Sequence, residues 1–157
     1  MDVLEAVRDV LIDGELGLSS GNCYVSAVGA FVAGSSPFYV QVCDGGSSDG
    51  ADQGGNALSE RVSVKIAVFV HMNLDQEGRA EQALIKASVG LRARVKAIRE
   101  VLSGNWLDVE IDGVTAPLLT VPLHWQESVS PIAHPADPDW VQQDVTFVGW
   151  QHARIGD

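Results

Sequence analysis

The clearest pattern along the chain is an alternation of apolar and other residues that predicts a β-strand over residues 61–70. Successive side chains of a strand point to opposite faces of a sheet. Every second residue here is β-branched and apolar, which favours burial on one face. These residues are Val62, Val64, Ile66, Val68 and Val70. One face of the strand is therefore expected to lie on the hydrophobic core.

A different periodicity predicts a long helix over residues 77–102. Apolar residues recur there at spacings of three and four, which places them on one face of an α-helix. They are Ala80, Leu84, Ala87, Leu91, Val95, Ile98 and Leu102. Such a helix is about 40 Å long at 1.5 Å per residue, and Gly104 follows as a stop signal. A shorter amphipathic helix is predicted over residues 2–13, ending at Asp13-Gly14.

The remaining β-segments are shorter. They are predicted at residues 23–33, 38–43, 106–111, 118–125 and 141–152. Asp112-Gly113 is a strong signal for a hairpin between the third and fourth of these segments. In the fourth segment Leu119, Val121, Leu123 and Trp125 are predicted to share a face, and Pro122 favours an edge position because it cannot donate a ladder hydrogen bond.

The order of these elements predicts an α+β fold. Residues 1–157 are predicted to form a single domain, with a mixed or antiparallel sheet and both helices packed on one of its faces. Residues 44–59 interrupt this pattern with five glycines, three serines and three aspartates. This composition leaves little to bury, so a long mobile loop is predicted. Loops of this length inside a domain are usually functional or disordered.

Composition narrows the function classes. The apolar content of 46% excludes a disordered chain, and the net charge of −11 disfavours broad nucleic-acid binding or attraction to anionic membranes. No apolar stretch is long enough to span a membrane, and the first residues lack the basic start of a signal peptide. A protein kept in a cytoplasm is expected. Cys23 and Cys43 are too few for a disulfide framework; a reduced pair is favoured over pairing across a hairpin.

Sequence motifs for catalysis or metal binding are missing. None of the four histidines lies at zinc-ligand spacing from another histidine or a cysteine. Asp44, Asp49 and Asp52 do not have the spacing of a calcium loop, which favours a solvated acidic loop. Three acidic residues of the predicted hairpin occupy the polar face of an alternating strand, where charge is expected. No catalytic residue, metal or cofactor is predicted.

Basic residues are concentrated on the predicted long helix. It carries six of the ten lysines and arginines, namely Arg79, Lys86, Arg92, Arg94, Lys96 and Arg99. One interpretation is a solvated helix face. The other is a charged contact with a second copy or a partner, because complementary patches set register and association rate. The candidate interface residues are Arg79, Lys86, Arg92 and Lys96, together with Asp44, Asp49 and Asp52 of the loop.

Several segments in this order resemble the tail terminator (tail-completion) proteins of long, flexible-tailed phages and related prophages. The segments are MDVLEAVRDVLIDG, RVSVKIAVFV, GRAEQALIKASVGLRARVKAIREVL, WLDVEIDGVTAPLLTVPLHW and WVQQDVTFVGW. The resemblance implies a hexameric ring that caps the head-proximal end of the tail tube, stops tube polymerisation and forms the docking surface for the head connector. It also implies a place in the tail or neck of the virion, with assembly in the host cytoplasm, and no catalytic residues.

Two physical features agree with that expectation. A chain with a basic helix on a strongly acidic body suits the head-to-tail contacts that close into rings. An acidic ring lumen lets DNA pass without specific binding, and residues 44–59 are predicted to reach this lumen or the axial neighbour as a negative collar. An outer loop without a task is the alternative. The alternative functions are a head-completion or stopper protein, a tube-like minor tail protein, a small cytosolic enzyme and a monomeric binding module.

Overall fold

The fold is built on a mixed sheet in which two long antiparallel strand pairs form the centre. The computed structural model describes residues 2–27, 31, 34–49, 59–72, 84–85, 89–135 and 137–152, with the side chains of residues 47–49 outside this description. Its elements are α1 (Val3–Asp13), β1 (Cys23–Val25), β2 (Phe38–Asp49), β3 (Ser59–His71), α2 (Leu91–Leu102), β4 (Asp108–Ile111), β5 (Val114–Pro117), β6 (Val121–Ser128), β7 (Ile132–Ala133) and β8 (Trp140–His152).

The strand order confirms the α+β class. The main sheet runs β1-β2-β3-β8-β6, with β7 also paired to β8, while β4 and β5 form a separate hairpin. Among the strand pairs of the described residues, β1–β2 alone is parallel. Within the described residues, no helix is long and apolar enough to cross a membrane.

Both helices cover the same face of this sheet. The buried cluster there includes the predicted apolar face of β3 and the buried residues of α1 and α2. Asp2 caps α1, because its Oδ1 accepts a hydrogen bond of 2.8 Å from the Leu4 amide. The alternation of β3 and the amphipathic pattern of α1 are confirmed.

The opposite face of the sheet carries a second, aromatic cluster. Tyr39, Ala67, Phe69 and Trp140 are buried there, with Phe31 packed against them. The Phe31 ring stacks on Phe69 with centroids 4.0 Å apart. β3 is therefore buried on both faces in this region, whereas the alternation predicted one buried face.

The long helix is interrupted at Gly90. This residue is extended, with φ −73° and ψ 162°, and α2 begins after it. The predicted continuous helix over 77–102 is therefore wrong at this point. Glycine is costly inside a helix but acceptable as an N-cap. Residues 84–85 are helical, residues 77–83 and 86–88 lie outside the description, and the buried residues of α2 confirm the second half of the predicted apolar stripe.

The predicted hairpin is present but shorter. Asp112 and Gly113 both have positive φ, 53° and 78°, as a type I′ turn requires. The partner of β4 is β5, residues 114–117, and not residues 118–125 as predicted. The later segment forms β6, which pairs with β8 at the edge of the sheet, so the edge position of Pro122 is confirmed.

Irregular pairing of β6 changes which of its side chains are buried. The register to β8 shifts between Val121 and His124 and again between Trp125 and Glu127. A bulge breaks the strict alternation of a strand. Leu119 and Leu123 are buried, but Val121 and Trp125 are 42% and 41% exposed. The predicted common face of these four residues is therefore wrong.

Strand β2 extends into the segment that was predicted to be a loop. Residues 44–49 pair with residues 60–64 of β3, with a register shift between Asp44 and Gly46. A backbone ladder needs no apolar side chains, so composition hid this extension. Residues 50–58 lie outside the description. β1 is also shorter than predicted and pairs with β2 in parallel, and Cys23 and Cys43 are buried free thiols.

Candidate functional site

A groove lies between α2 and the edge strand β6 and is here termed the basic groove. It has a volume of about 620 Å³. Its lining comprises Ile85, Arg92, Ala93, Val95, Lys96, Arg99, Trp125, Ser128 and Gln143. Three of these side chains are cations and none is a carboxylate.

Helical spacing brings the basic residues into the groove. Positions 92, 96 and 99 lie on one side of α2 because residues three and four apart are neighbours on a helix. Arg92 and Lys96 are exposed. Lys96 is 4.0 Å from the Glu100 carboxylate, but both side chains are mostly in solvent, and such pairs contribute little to stability. These cations are therefore available to a neighbour.

Trp125 is held in a fixed position at the groove although it is exposed. The guanidinium of Arg99 lies over its ring, 4.1 Å from the centroid. Its indole Nε1 donates a hydrogen bond of 3.0 Å to Ser128 Oγ. A cation over an indole face is attracted by the ring quadrupole. The groove thus combines a fixed aromatic surface with positive charge.

A second surface, here termed the acidic recess, lies where α1 begins and the long strands end. It has a volume of about 250 Å³, and its charged lining residues are Asp2, Asp44 and Glu60. Asp44 Oδ1 accepts a hydrogen bond of 2.8 Å from the Gly46 amide. Glu60 Oε2 accepts one of 3.2 Å from Gln151 Nε2. In the described part of the chain none of these three carboxylates forms an ion pair.

The structure brings together some of the predicted interface residues. Arg92 and Lys96 lie together in the basic groove, and Asp44 lies in the acidic recess. Asp49 ends β2, with its side chain outside the description. Arg79, Lys86 and Asp52 lie outside the described residues.

Some residues of these surfaces were not predicted as site residues. Arg99 and Trp125 are brought together by the packing of α2 beside β6, and their pairing has no local sequence signal. Asp2 and Glu60 meet Asp44 only because β3 pairs with β2 while α1 packs above them. The one available signal was the acidic N-cap pattern at Asp2.

Arg94 differs from the other cations of α2 because it points toward α1. Its guanidinium lies 4.0 Å from the centroid of the Phe38 ring. Its Nη1 donates a hydrogen bond of 3.2 Å to the Leu16 carbonyl. Burial lowers the pKa of Arg94, and its Nε has no hydrogen-bond partner in the part of the chain that the structure describes. This half-buried residue joins α2 to the segment after α1 and does not line the basic groove.

A series of hydrogen-bonded polar side chains lies on the opposite face of the sheet. Gln142 Nε2 donates to Asp144 Oδ1 at 2.9 Å, which leaves Gln142 Oε1 to accept from His134 Nδ1 at 2.8 Å. Asp144 also forms an ion pair with Lys65 at 3.1 Å. These contacts pair the polar groups beside the aromatic cluster except His134 Nε2, which is buried and has no hydrogen-bond partner among the described residues. Across the described ranges, no group of three His, Cys, Asp or Glu side chains is placed to hold a metal ion.

The two thiols are protonated at neutral pH. Burial raises the pKa of Cys23 to about 12 and also raises that of Cys43. The thiolate is the nucleophilic form of cysteine. Neither residue therefore has the character of an activated nucleophile.

Comparison with known proteins gives a likeness in fold. No protein-family model matches the sequence, and no curated protein matches it. Among solved structures, the chain is similar to a chain of the virion of a native gene transfer agent particle, with a TM-score of 0.60. The two are 18% identical, over 96% of this chain and 95% of that chain. At this identity the likeness establishes a shared fold over nearly the whole length.

Proposed function

We propose that this chain is a structural protein of a phage-like virion and that it forms the ring that caps the head-proximal end of the tail tube. The observation that carries the proposal is the fold shared with a chain of a gene transfer agent virion over 96% of the sequence. The order of sequence segments that resembles the tail terminator proteins narrows it to the terminator role. The ring stops tube polymerisation and offers a docking surface to the head connector.

The charge distribution supports a ring. Rings arise when two different surfaces of identical subunits meet and the rotation closes. The basic groove and the acidic recess are two such surfaces, lined by opposite charges. A net charge of −11 also suits a lumen through which DNA passes without being held, because phosphate contacts dominate nucleic-acid affinity. The partners are then other copies, the tail tube protein and the head connector or stopper protein.

Tube assembly in vitro tests the terminator role. Tail tube protein is polymerised alone, with this protein added, or with the same amount of an unrelated acidic protein of similar size. Tube lengths are measured by negative-stain electron microscopy. We expect this protein to halt growth at amounts far below that of the tube protein, and an antibody to label one tube end. The acidic control should leave tube length unchanged.

Two other labelling patterns would replace the terminator role. Label along the whole tube would identify a tube-like minor tail protein. Label on isolated head connectors, with tube growth unchanged, would identify a head-completion or stopper protein. Absence of the protein from purified particles would remove the virion role altogether.

A further inference from the structure

We propose that the surface around the basic groove of one copy contacts the surface around the acidic recess of the next copy in the ring. This inference rests on the proposed function. The two surfaces are complementary in charge. Among the described residues, the groove is lined by the cations Arg92, Lys96 and Arg99 and by no carboxylate. The described lining of the recess has three carboxylates and no lysine or arginine.

The carboxylates of the recess are positioned but not neutralised. Each accepts a hydrogen bond from a neutral donor, namely the Leu4 amide, the Gly46 amide or the Gln151 side chain. These bonds fix the oxygens without removing the negative charge. Of the cations that line the groove, only Lys96 forms an ion pair with a described carboxylate, and that pair is exposed. Bringing the surfaces together therefore gives charge pairing that the single chain does not provide.

The groove also offers the residue types that dominate protein interfaces. Tryptophan and arginine are enriched among residues that carry most of the binding energy. Trp125 is 41% exposed, and Arg99 and Ser128 already hold its orientation. Little side-chain entropy is then lost when a neighbour covers it. Trp125 is accordingly the apolar centre of the contact, with Arg92 and Lys96 around it.

The positions of the two surfaces favour a head-to-tail arrangement. Gln143 lines the groove and Gln151 lines the recess, and both lie on β8. They are eight positions apart, which corresponds to about 26 Å along a strand. The basic groove and the acidic recess of one copy can therefore contact two different neighbours at the same time. Each copy can contact a neighbour on either side, as a closed ring requires.

Charge reversal followed by charge exchange tests the contact in the full-length protein. Arg92→Glu with Lys96→Glu should lower the self-association constant about tenfold or more, measured by sedimentation velocity over a concentration series. Asp44→Lys with Glu60→Lys should do the same. Combining all four changes should restore association, because the charges are exchanged and the net charge of the wild type is recovered.

A matched control separates local pairing from net charge. Arg92→Glu and Lys96→Glu are combined with Asp108→Lys and Glu110→Lys, which lie on the exposed side of the separate hairpin. This variant also has the wild-type net charge but should remain defective. If it associates as well as the exchanged variant, the specific contact is refuted. Circular dichroism melting of each variant checks that the fold is retained.

Cross-linking gives a second measurement that does not alter charge. Gln143→Cys and Gln151→Cys proteins are mixed and treated with a short bis-maleimide. A covalent dimer should form efficiently only in the mixture, since the native thiols are buried. A dimer formed equally well by either variant alone would contradict the head-to-tail contact. If the wild type associates and both the charge exchange and the cross-linking fail, the proposed contact is wrong but the proposed ring is not. A wild type that stays monomeric at every concentration and on tube ends would overturn the contact and the ring together.

Discussion

Replacement of Leu91 by alanine tests the packing that positions α2 and hence the basic groove. Leu91 is the first residue of α2, directly after the break at Gly90, and it is fully buried in the cluster shared by both helices and the sheet. The change removes three carbon atoms, which is about 2.4 kcal/mol at about 0.8 kcal/mol per buried carbon. The cavity that remains raises the cost toward about 3–4 kcal/mol.

This cost is large enough to measure directly. For a chain of this size, about 3–4 kcal/mol corresponds to a fall in the melting temperature of roughly 6–16 °C. Thermal unfolding followed by circular dichroism gives the shift, and urea unfolding gives the free energy. Val89→Ala is the matched control, because Val89 lies just before the break and is 42% exposed. It should cost less than about 1 kcal/mol.

The result that refutes the reasoning is equally specific. Wild-type melting temperatures for both Leu91→Ala and Val89→Ala would show that Leu91 is not in the core and that α2 packs through another face. An equally large loss at both positions would show that Val89 is buried as well, against its exposure in the structure.

Three further predictions concern the buried groups and the β2–β3 connection. Burial raises the pKa of Cys23 from its ordinary value of 9.0 to about 12, so the contribution of this thiol to stability should be complete below pH 9 and be lost between pH 9 and 12. The urea midpoints of the wild type and Cys23→Ala should therefore converge over that window. Arg94→Met should destabilise the protein less than Arg94→Ala in urea unfolding, because methionine keeps the packing on Phe38 and removes a desolvated charge. Replacement of residues 51–58 by Asn-Gly should leave the melting temperature within about 3 °C of wild type, since the paired residues up to 49 remain. If the loop acts at the axial contact, the same variant should give overgrown tails or tails that fail to join heads. Normal infectious particles would show that the loop has no such role.

The sequence predicted those elements whose burial follows a local period. The alternation of β3 and the spacing of three and four in α2 describe faces that pack on one continuous core, so pattern and burial agree there. The break at Gly90 was missed because a single glycine does not disturb an apolar stripe. The bulges of β6 were missed because they depend on the register to β8, which is not encoded near Val121 or Trp125.

The candidate site was predictable only on its helical side. Arg92 and Lys96 are close in sequence and share a helix face, so their charge was visible as a pattern. Trp125 and Glu60 join these surfaces through contacts between elements far apart in the chain. The second buried face around Phe69 was also invisible, because an aromatic residue on the polar side of an alternating strand has no local sign of a covering segment.

The acidic residues of the β2–β3 region lie close together because the two strands pair. Asp44 and Glu60 both line the acidic recess. Asp49, the last residue of β2, is the cross-strand partner of Glu60. Asp49 is therefore next to the recess, and this position favours a part in the proposed contact between copies. The proposed negative collar then depends on Asp52. Asp49→Asn should lower the self-association constant in sedimentation velocity, whereas Asp52→Asn should leave it at the wild-type level and affect DNA passage or head joining. Wild-type association of Asp49→Asn would remove Asp49 from the contact and return it to the collar.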